Sequence, residues 1–341
     1  MSCVLSFKRN RFSSPATSVA WRLLRPQSRR SNVRTAEGNP VAQPAKSRVQ
    51  VAQYLLLVFL FSSFFYFLVL RSGSLGNGRG MYVLGLMWCP ALAGMLTLRL
   101  NGRSIADLGW KWGETKYQLW SWFLPLLYAS IAYAIIWIAG FGGFGNPEFL
   151  NALVHQMHLP GPRWISIGLG IFLTGSYGLI RSVASALGEE IGWRGFLVPE
   201  LSRTTSFTVT AFLSGIVWSL WHYPILIYGD YNAGTPTWYG LTCFTVMVVG
   251  ASFVFAWMRL KSGSLWTGAI LHGSHNLYIQ AIFTPLTRNT GKTAWYIDEF
   301  GAVLPLVAVA LAFYFWTRRR ELPAVSQPVG ASQAALAPVG S

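Results

Sequence analysis

The chain has 341 residues, of which 52% are hydrophobic, 15% aromatic and only 11% charged, against roughly 25% charged in soluble domains. A soluble domain of this size cannot hide so much apolar surface, and the mean hydropathy of +0.40 makes lipid the solvent for most of the protein. Lys plus Arg outnumber Asp plus Glu by 27 to 11, but they gather at the ends and in alternate loops, which reports membrane topology and argues against a nucleic-acid partner.

In chain order, residues 1–50 hold ten Lys or Arg, a single Glu37, many Ser and Pro, and no sustained apolar period. This predicts a basic, disordered arm. Its Arg- and Ser-rich first 36 residues also have the composition of an organelle transit peptide, which would make the membrane organellar. Apolar runs near 51–70, 81–100, 119–139, 206–227, 238–258, 264–283 and 300–316 each match the ~20 residues that a helix needs to cross a bilayer. The stretch 164–201 is too long for one straight crossing and predicts one long or bent spanning helix, eight spans in all.

The expected fold class is therefore all-α, a polytopic membrane bundle of about eight transmembrane helices around a polar intramembrane cavity. Its parts are N-terminal membrane helices over 51–163, a core over 164–285, a last loop and helix over 286–320, and a disordered tail over 321–341. With eight spans and both termini in the cytoplasm, inside segments hold 20 Lys or Arg and outside loops hold five, as the positive-inside rule requires. Trp120, Trp122, Trp164 and Trp238 lie near span ends and read as interfacial anchors. Cys3, Cys89 and Cys243 are too scattered for a disulfide framework or a CxxC metal site and read as apolar fillers.

Ionisable groups at membrane depth cost on the order of 2.5 to 3.5 kcal/mol each on insertion scales, so they normally face a cavity or a partner. Four sites qualify: Gly188-Glu189-Glu190-Ile191-Gly192-Trp193-Arg194, Trp218 to His222, His272 to Asn276, and the solitary Arg181, which has no obvious partner and is given no role. With the turn between the fourth and fifth spans at Ser202 to Thr205, a rise of ~1.5 Å per residue puts Glu189 roughly 20 Å and His222 roughly 25 Å from that turn. His272 and Asn276 fall at about 12 and 18 Å by the same rule. Glu189, His222, His272 and Asn276 thus converge on one layer of the membrane.

Helix geometry sorts the neighbours. Glu190 and Arg194 are i and i+4 and can neutralise each other, whereas Glu189 points about 100° away and is left for chemistry. His272 and Asn276 share a stripe, with His275 displaced from it and secondary.

A carboxylate withdrawn from water holds its proton to higher pH, which suits Glu189 to take a proton from water and return it to a leaving amine. His222 could hold the same water, and His272 and Asn276 could donate to an oxyanion. A zinc site on Glu189, His222 and His272 is the rival arrangement, although no HExxH occurs. No GxSxG supports a serine hydrolase. Beside an intramembrane endopeptidase stands a non-catalytic membrane scaffold or immunity factor on the same bundle. A proton-coupled transporter is weaker, since no inverted repeats are evident.

These residues resemble the CPBP family, the CAAX proteases and bacteriocin-processing (Abi) enzymes that include the type II CAAX prenyl endopeptidases. The family pattern EExxxR, FxxxH and HxxxN is met by Glu189-Glu190 with Arg194, by Trp218 to His222, and by His272 to Asn276. Trp218 stands where Phe is usual, an aromatic exchange that bears on packing and not on chemistry. The resemblance covers about 165–285 and implies an eight-helix bundle with a conical cavity open to the cytoplasm. It implies Glu189 as base with His222, His272 with Asn276 as the oxyanion site, and Glu190 and Arg194 in support. The family has been labelled metalloprotease, while its structurally known prenyl protease member argues for a metal-free glutamate mechanism. The implied partners are the lipid bilayer and a membrane-anchored protein or peptide, prenylated in the CAAX case. No cofactor is expected, with zinc as the alternative.

Overall fold

The computed structural model describes residues 42–157, 161–232 and 234–323. They lie in one compact unit, Asn39–Ser341; the other unit, Met1–Gly38, falls outside the described residues, as do most of the expected basic arm, Cys3 and nearly all of the expected C-terminal tail.

Among the described residues the fold is carried by α-helices. Helix α1 (Ala42–Ser72) begins eight residues inside the expected arm and runs antiparallel into α2 (Met81–Leu100), followed by α3 (Thr115–Ile138), the amphipathic α4 (Pro147–Met157) and α5 (Arg163–Glu190). Helix α5 continues without a break through a π-helical stretch, Ile191–Leu197, into α6 (Val198–Ser202), so that Arg163–Ser202 is one helical span of 40 residues. This is the long span expected over 164–201. Then come α7 (Phe207–Tyr228) and α8 (Thr237–Ser262). The chain re-enters as α9 (Trp266–Asn276), widens into a second π-helical stretch, Leu277–Phe283, closes with α10 (Thr284–Leu286), and ends on α11 (Val303–Thr317). A short ribbon pairs β1 (Gly143–Phe144) antiparallel with β2 (Thr287–Arg288), register Gly143 to Arg288.

Local chemistry explains the boundaries. Ser206 turns back to accept from the Val209 amide and caps α7. Gly263, at φ 69°, ends α8 behind Arg259 and Lys261 in its last turn, where cations meet the negative end of the helix dipole. Pro90, Pro125 and Pro224 sit inside helices, which membrane helices tolerate because neighbours satisfy the freed carbonyls.

Among the described residues, six helices are long and apolar enough to cross a membrane: Ala45–Ser72, Met81–Leu100, Thr115–Ile138, Arg163–Ser202, Phe207–Tyr228 and Thr237–Ser262. The protein is an integral membrane protein with an all-α bundle. The two other expected spans are helical but do not join the six. The seventh carries His272, His275, Asn276 and Gln280 within it, and α11 is only 15 residues long. The four predicted anchors Trp120, Trp122, Trp164 and Trp238 are all exposed, while Cys89 and Cys243 are free and buried.

Short α9 packs against α3, α5 and α8, so whatever it carries faces three other elements. The approach of α5 to α2 depends on two glycines one turn apart. A Cβ on Gly192 would lie 2.4 Å from the Pro90 Cβ, and one on Gly188 would lie 2.7 Å from the Met87 carbonyl oxygen. Small residues at i and i+4 let membrane helices touch backbone to backbone, and here that contact carries Glu189 and Glu190 between the two glycines. Gly192→Ala should therefore push α5 off α2 and lower the thermal midpoint in detergent, whereas Gly175→Ala on the same helix, where an added Cβ meets nothing within 4 Å, should leave it unchanged.

Candidate active site

The centre of the site is a buried knot of charge. Arg194 donates from Nη1 to Glu190 Oε1 at 2.8 Å, and the same oxygen lies 2.9 Å from His272 Nδ1. Glu190 and Arg194 are 0% and 1% exposed. The Arg194 guanidinium sits between the rings of Trp218, 4.1 Å from the centroid, and Phe255, 3.9 Å, which supplies cation–π attraction in place of lost hydration. Its backbone carbonyl, in the π-helical stretch, accepts from Arg259 Nε at 2.7 Å. An added Cβ on Gly268 would meet Glu190 Oε2 at 2.6 Å, so only glycine lets α9 bring His272 to this carboxylate.

Glu189, one residue earlier, faces elsewhere. Its Oε2 accepts from two indoles, Trp218 Nε1 at 2.8 Å and Trp193 Nε1 at 3.3 Å, and Oε1 takes no described hydrogen bond. The fully buried Trp193 and the Trp218 of α7 therefore hold the carboxylate at one oxygen. Trp218 is more than packing: its N–H, which Phe lacks, touches the carboxylate directly. Sequence reasoning assigned the exchange to packing because an aromatic-for-aromatic swap shows ring size and hides the donor.

Both candidate histidines have their tautomer set by acceptor-only partners. His222 Nδ1 is 2.9 Å from the Trp218 carbonyl oxygen and His272 Nδ1 faces the Arg194-bound carboxylate, so Nδ1 carries the hydrogen in each. In the neutral ring Nε2 is then a lone pair. His222 is placed to accept from a water, and His272 can donate to an oxyanion only as imidazolium. Asn276, whose side chain makes no described hydrogen bond, can donate in any state.

Glu189, His222, His272 and Asn276 line one cavity of about 220 Å³, together with Trp218, Tyr231, His275, Gln280 and Glu299 and an apolar wall that includes Leu86, Met87, Ile225 and Phe244. The four residues singled out from the sequence are thus brought together, Glu190 and Arg194 lie behind them, and exposed Arg181 makes no described ion pair. The predicted metal set fares differently. Among the described residues no group of three His, Cys, Asp or Glu is arranged to hold a metal ion, Glu189 Oε2 is engaged by indoles and His272 Nδ1 by Glu190, so a metalloprotease-like site on Glu189, His222 and His272 finds no support in this geometry.

One part of the cavity was not foreseen. His275, taken as secondary, bridges Tyr128 Oη at 2.6 Å and Glu299 Oε1 at 2.9 Å. Glu299 also accepts from Gln280 Nε2 at 3.1 Å and from the Tyr231 hydroxyl at 2.9 Å. It comes from the connection before α11, and only the fold carries it into the cavity. Burial alone would raise the Glu299 carboxyl, but the hydrogen bond and charge of His275 and the Tyr231 hydroxyl override it and hold the group below its usual range. Its neighbour Asp298 is pushed up to about 7 by burial and by the charge of Glu299, at a backbone φ of 61°.

Residues 171–278 match the family described as type II CAAX prenyl endopeptidase Rce1-like. A CAAX prenyl protease 2 of Methanococcus maripaludis is 34% identical over 143 residues, 40% of this chain and 49% of that protein. The chain thus matches about half the length of this relative. The matched segment contains Glu189, Glu190, Arg194, Trp218, His222, His272 and Asn276, and it excludes Glu299.

An aspartate held above its ordinary range in the folded state contributes its stability at low pH and loses it as pH rises towards the folded value. Asp298→Asn removes that loss and keeps a residue that accepts positive φ. Its thermal midpoint should stay close to wild type at pH 5 and exceed it by a few degrees at pH 8.

Proposed function

We propose that this protein is an intramembrane endopeptidase that cuts a peptide bond in a membrane-anchored, CAAX-type prenylated protein or peptide, with Glu189 as general base. The observation that carries this reading is the state of Glu189: a buried carboxylate in the cavity, held at Oε2 by two indole N–H groups, with Oε1 left to the occupant. The family segment and the relative's name support the substrate class.

In the reaction so drawn, a water lies between Glu189 Oε1 and His222 Nε2. Glu189 takes one proton as the water oxygen attacks the scissile carbonyl carbon. Asn276 donates to the developing oxyanion, joined by His272 when it is imidazolium, a state that the Glu190 carboxylate beside Nδ1 favours. The C–N bond then breaks as Glu189 returns its proton to the leaving nitrogen, leaving a new carboxylate and an amine. Loss of one oxyanion donor typically costs about 10²- to 10³-fold in rate. No step needs a metal ligand set. The positive-inside count supports a cytoplasmic side for both termini on this reading.

The decisive comparison is of wild type and Glu189→Gln, matched in expression, by a search for new peptide termini in the host and by cleavage of a farnesylated CAAX peptide in liposomes, each with and without chelator. Wild type should generate termini that Glu189→Gln lacks, with a loss of about 10³-fold or more in kcat and cleavage that survives the chelator. Equal cleavage by the variant overturns the assignment, and a phenotype that persists in Glu189→Gln without any cleavage gives the protein to the scaffold reading.

Trp218→Phe, which keeps the ring over Arg194 and deletes one donor to Glu189, should lower kcat by about tenfold with little change in KM. Unchanged kcat would return Trp218 to packing alone.

A further inference from the structure

The buried carboxylates of the bundle fall into two sets. Glu190 is paired with Arg194, and Glu200 with Arg103 and Arg203 at 2.6 and 2.5 Å. Glu189 and Glu299 have no arginine or lysine partner among the described residues, and both line the cavity.

The ion-pair geometry of Glu299 is to His275 alone, and that contact does not require a charged ring. The carboxylate oxygen accepts, so His275 Nε2 bears the hydrogen, and Nδ1 can accept from the Tyr128 hydroxyl. A neutral imidazole satisfies both contacts. Gln280 and Tyr231 add two more neutral donors. Glu299 is 4% exposed, fixed in position by three hydrogen bonds and without an arginine or lysine partner among the described residues. A buried anion left in that state is costly unless a partner supplies the opposite charge. Its Oε2 accepts only from Tyr231 and retains a lone pair.

The surroundings suit such a partner. Tyr231 and Phe244 line the cavity beside Glu299, Phe244 and Phe300 stack at 5.8 Å, and Tyr231 packs edge-on to Phe300 at 5.2 Å. Aromatic faces beside a carboxylate attract ammonium and guanidinium groups, and they do so most strongly where water is excluded. Acidic groups are repelled by the same wall.

We propose that Glu299, with Tyr231 and Phe244, forms a cation subsite in the cavity that receives a lysine or arginine side chain of the peptide occupant. The subsite rests on the endopeptidase reading and deepens it by naming a feature of its substrate; its carboxylate, Glu299, lies outside the family-matched segment, whereas Tyr231 and Phe244 lie within it.

The test is a positional scan on the full chain in liposomes. Farnesylated peptides carry Lys, Gln or Glu in turn at each of the three residues before and after the farnesylated cysteine, and kcat/KM is read for each. At one position Lys should exceed Gln by about tenfold and Glu should fall below Gln, and Glu299→Gln should collapse the Lys-to-Gln ratio towards one. A scan with no Lys preference at any position overturns the subsite without recourse to a variant, and a preference that Glu299→Gln leaves intact overturns the role of this residue. The same peptides are titrated onto Glu189→Gln protein. Lys-selective binding with no cleavage by wild type would keep the subsite and remove the protease reading, whereas cleavage without charge selection would do the reverse.

Discussion

Everything in the membrane core hangs on one carboxylate oxygen. Glu190 Oε1 accepts from Arg194 on its own helix and lies against His272 on α9, so a single atom joins two elements and orients an imidazole. In a low-dielectric interior such a knot holds only if its members are satisfied together. Trp218 and Phe255 enclose the guanidinium and Gly268 lets α9 come close, while Glu190 Oε2 and Arg194 Nε stay buried without a hydrogen-bond partner. Glu190 and Arg194 lie behind the cavity, and His272 carries the knot to its wall.

Two arrangements of carboxylate follow from this division. Glu190 is paired with Arg194, while Glu189, one residue away and turned by the helix, lines the cavity. The π-helical stretch that starts at Ile191 serves both. It widens the helix where Trp193 must reach back to Glu189 and where the Arg194 carbonyl must turn to meet Arg259. π-bulges are frequent at functional sites for this reason.

Much of this was legible in the residues. Apolar runs of bilayer length marked the helices, and the charges that interrupted them marked the site, because a charged group in lipid demands an explanation that a loop charge does not. The i, i+4 spacing of Glu190 and Arg194 was sufficient to pair them. Other features were hidden for physical reasons. The seventh expected span was read by length, yet His272, His275, Asn276 and Gln280 are the groups that lower its hydropathy, since a helix cannot be both polar enough to line a cavity and apolar enough to stand out. Glu299 lay in a connection between helices, where carboxylates are ordinary. Only the packing of α11 and of Tyr231, His275 and Gln280 around it makes it a buried anion. Trp218 was visible but misweighed, since its donor matters only once Glu189 is known to lie 2.8 Å away.

On the endopeptidase reading, the two indoles on Glu189 would also govern stereochemistry. With Oε2 occupied, the carboxylate has one working oxygen, and a proton collected there must be delivered from there. The attacking water and the departing nitrogen then have to visit the same side of the scissile carbonyl in turn, which ties the direction in which a chain may thread the cavity to the hand of the tetrahedral centre it forms. A peptide lying in the opposite sense would present its nitrogen to the apolar wall, so the enzyme drawn from this geometry reads polarity along the chain before it reads any side chain.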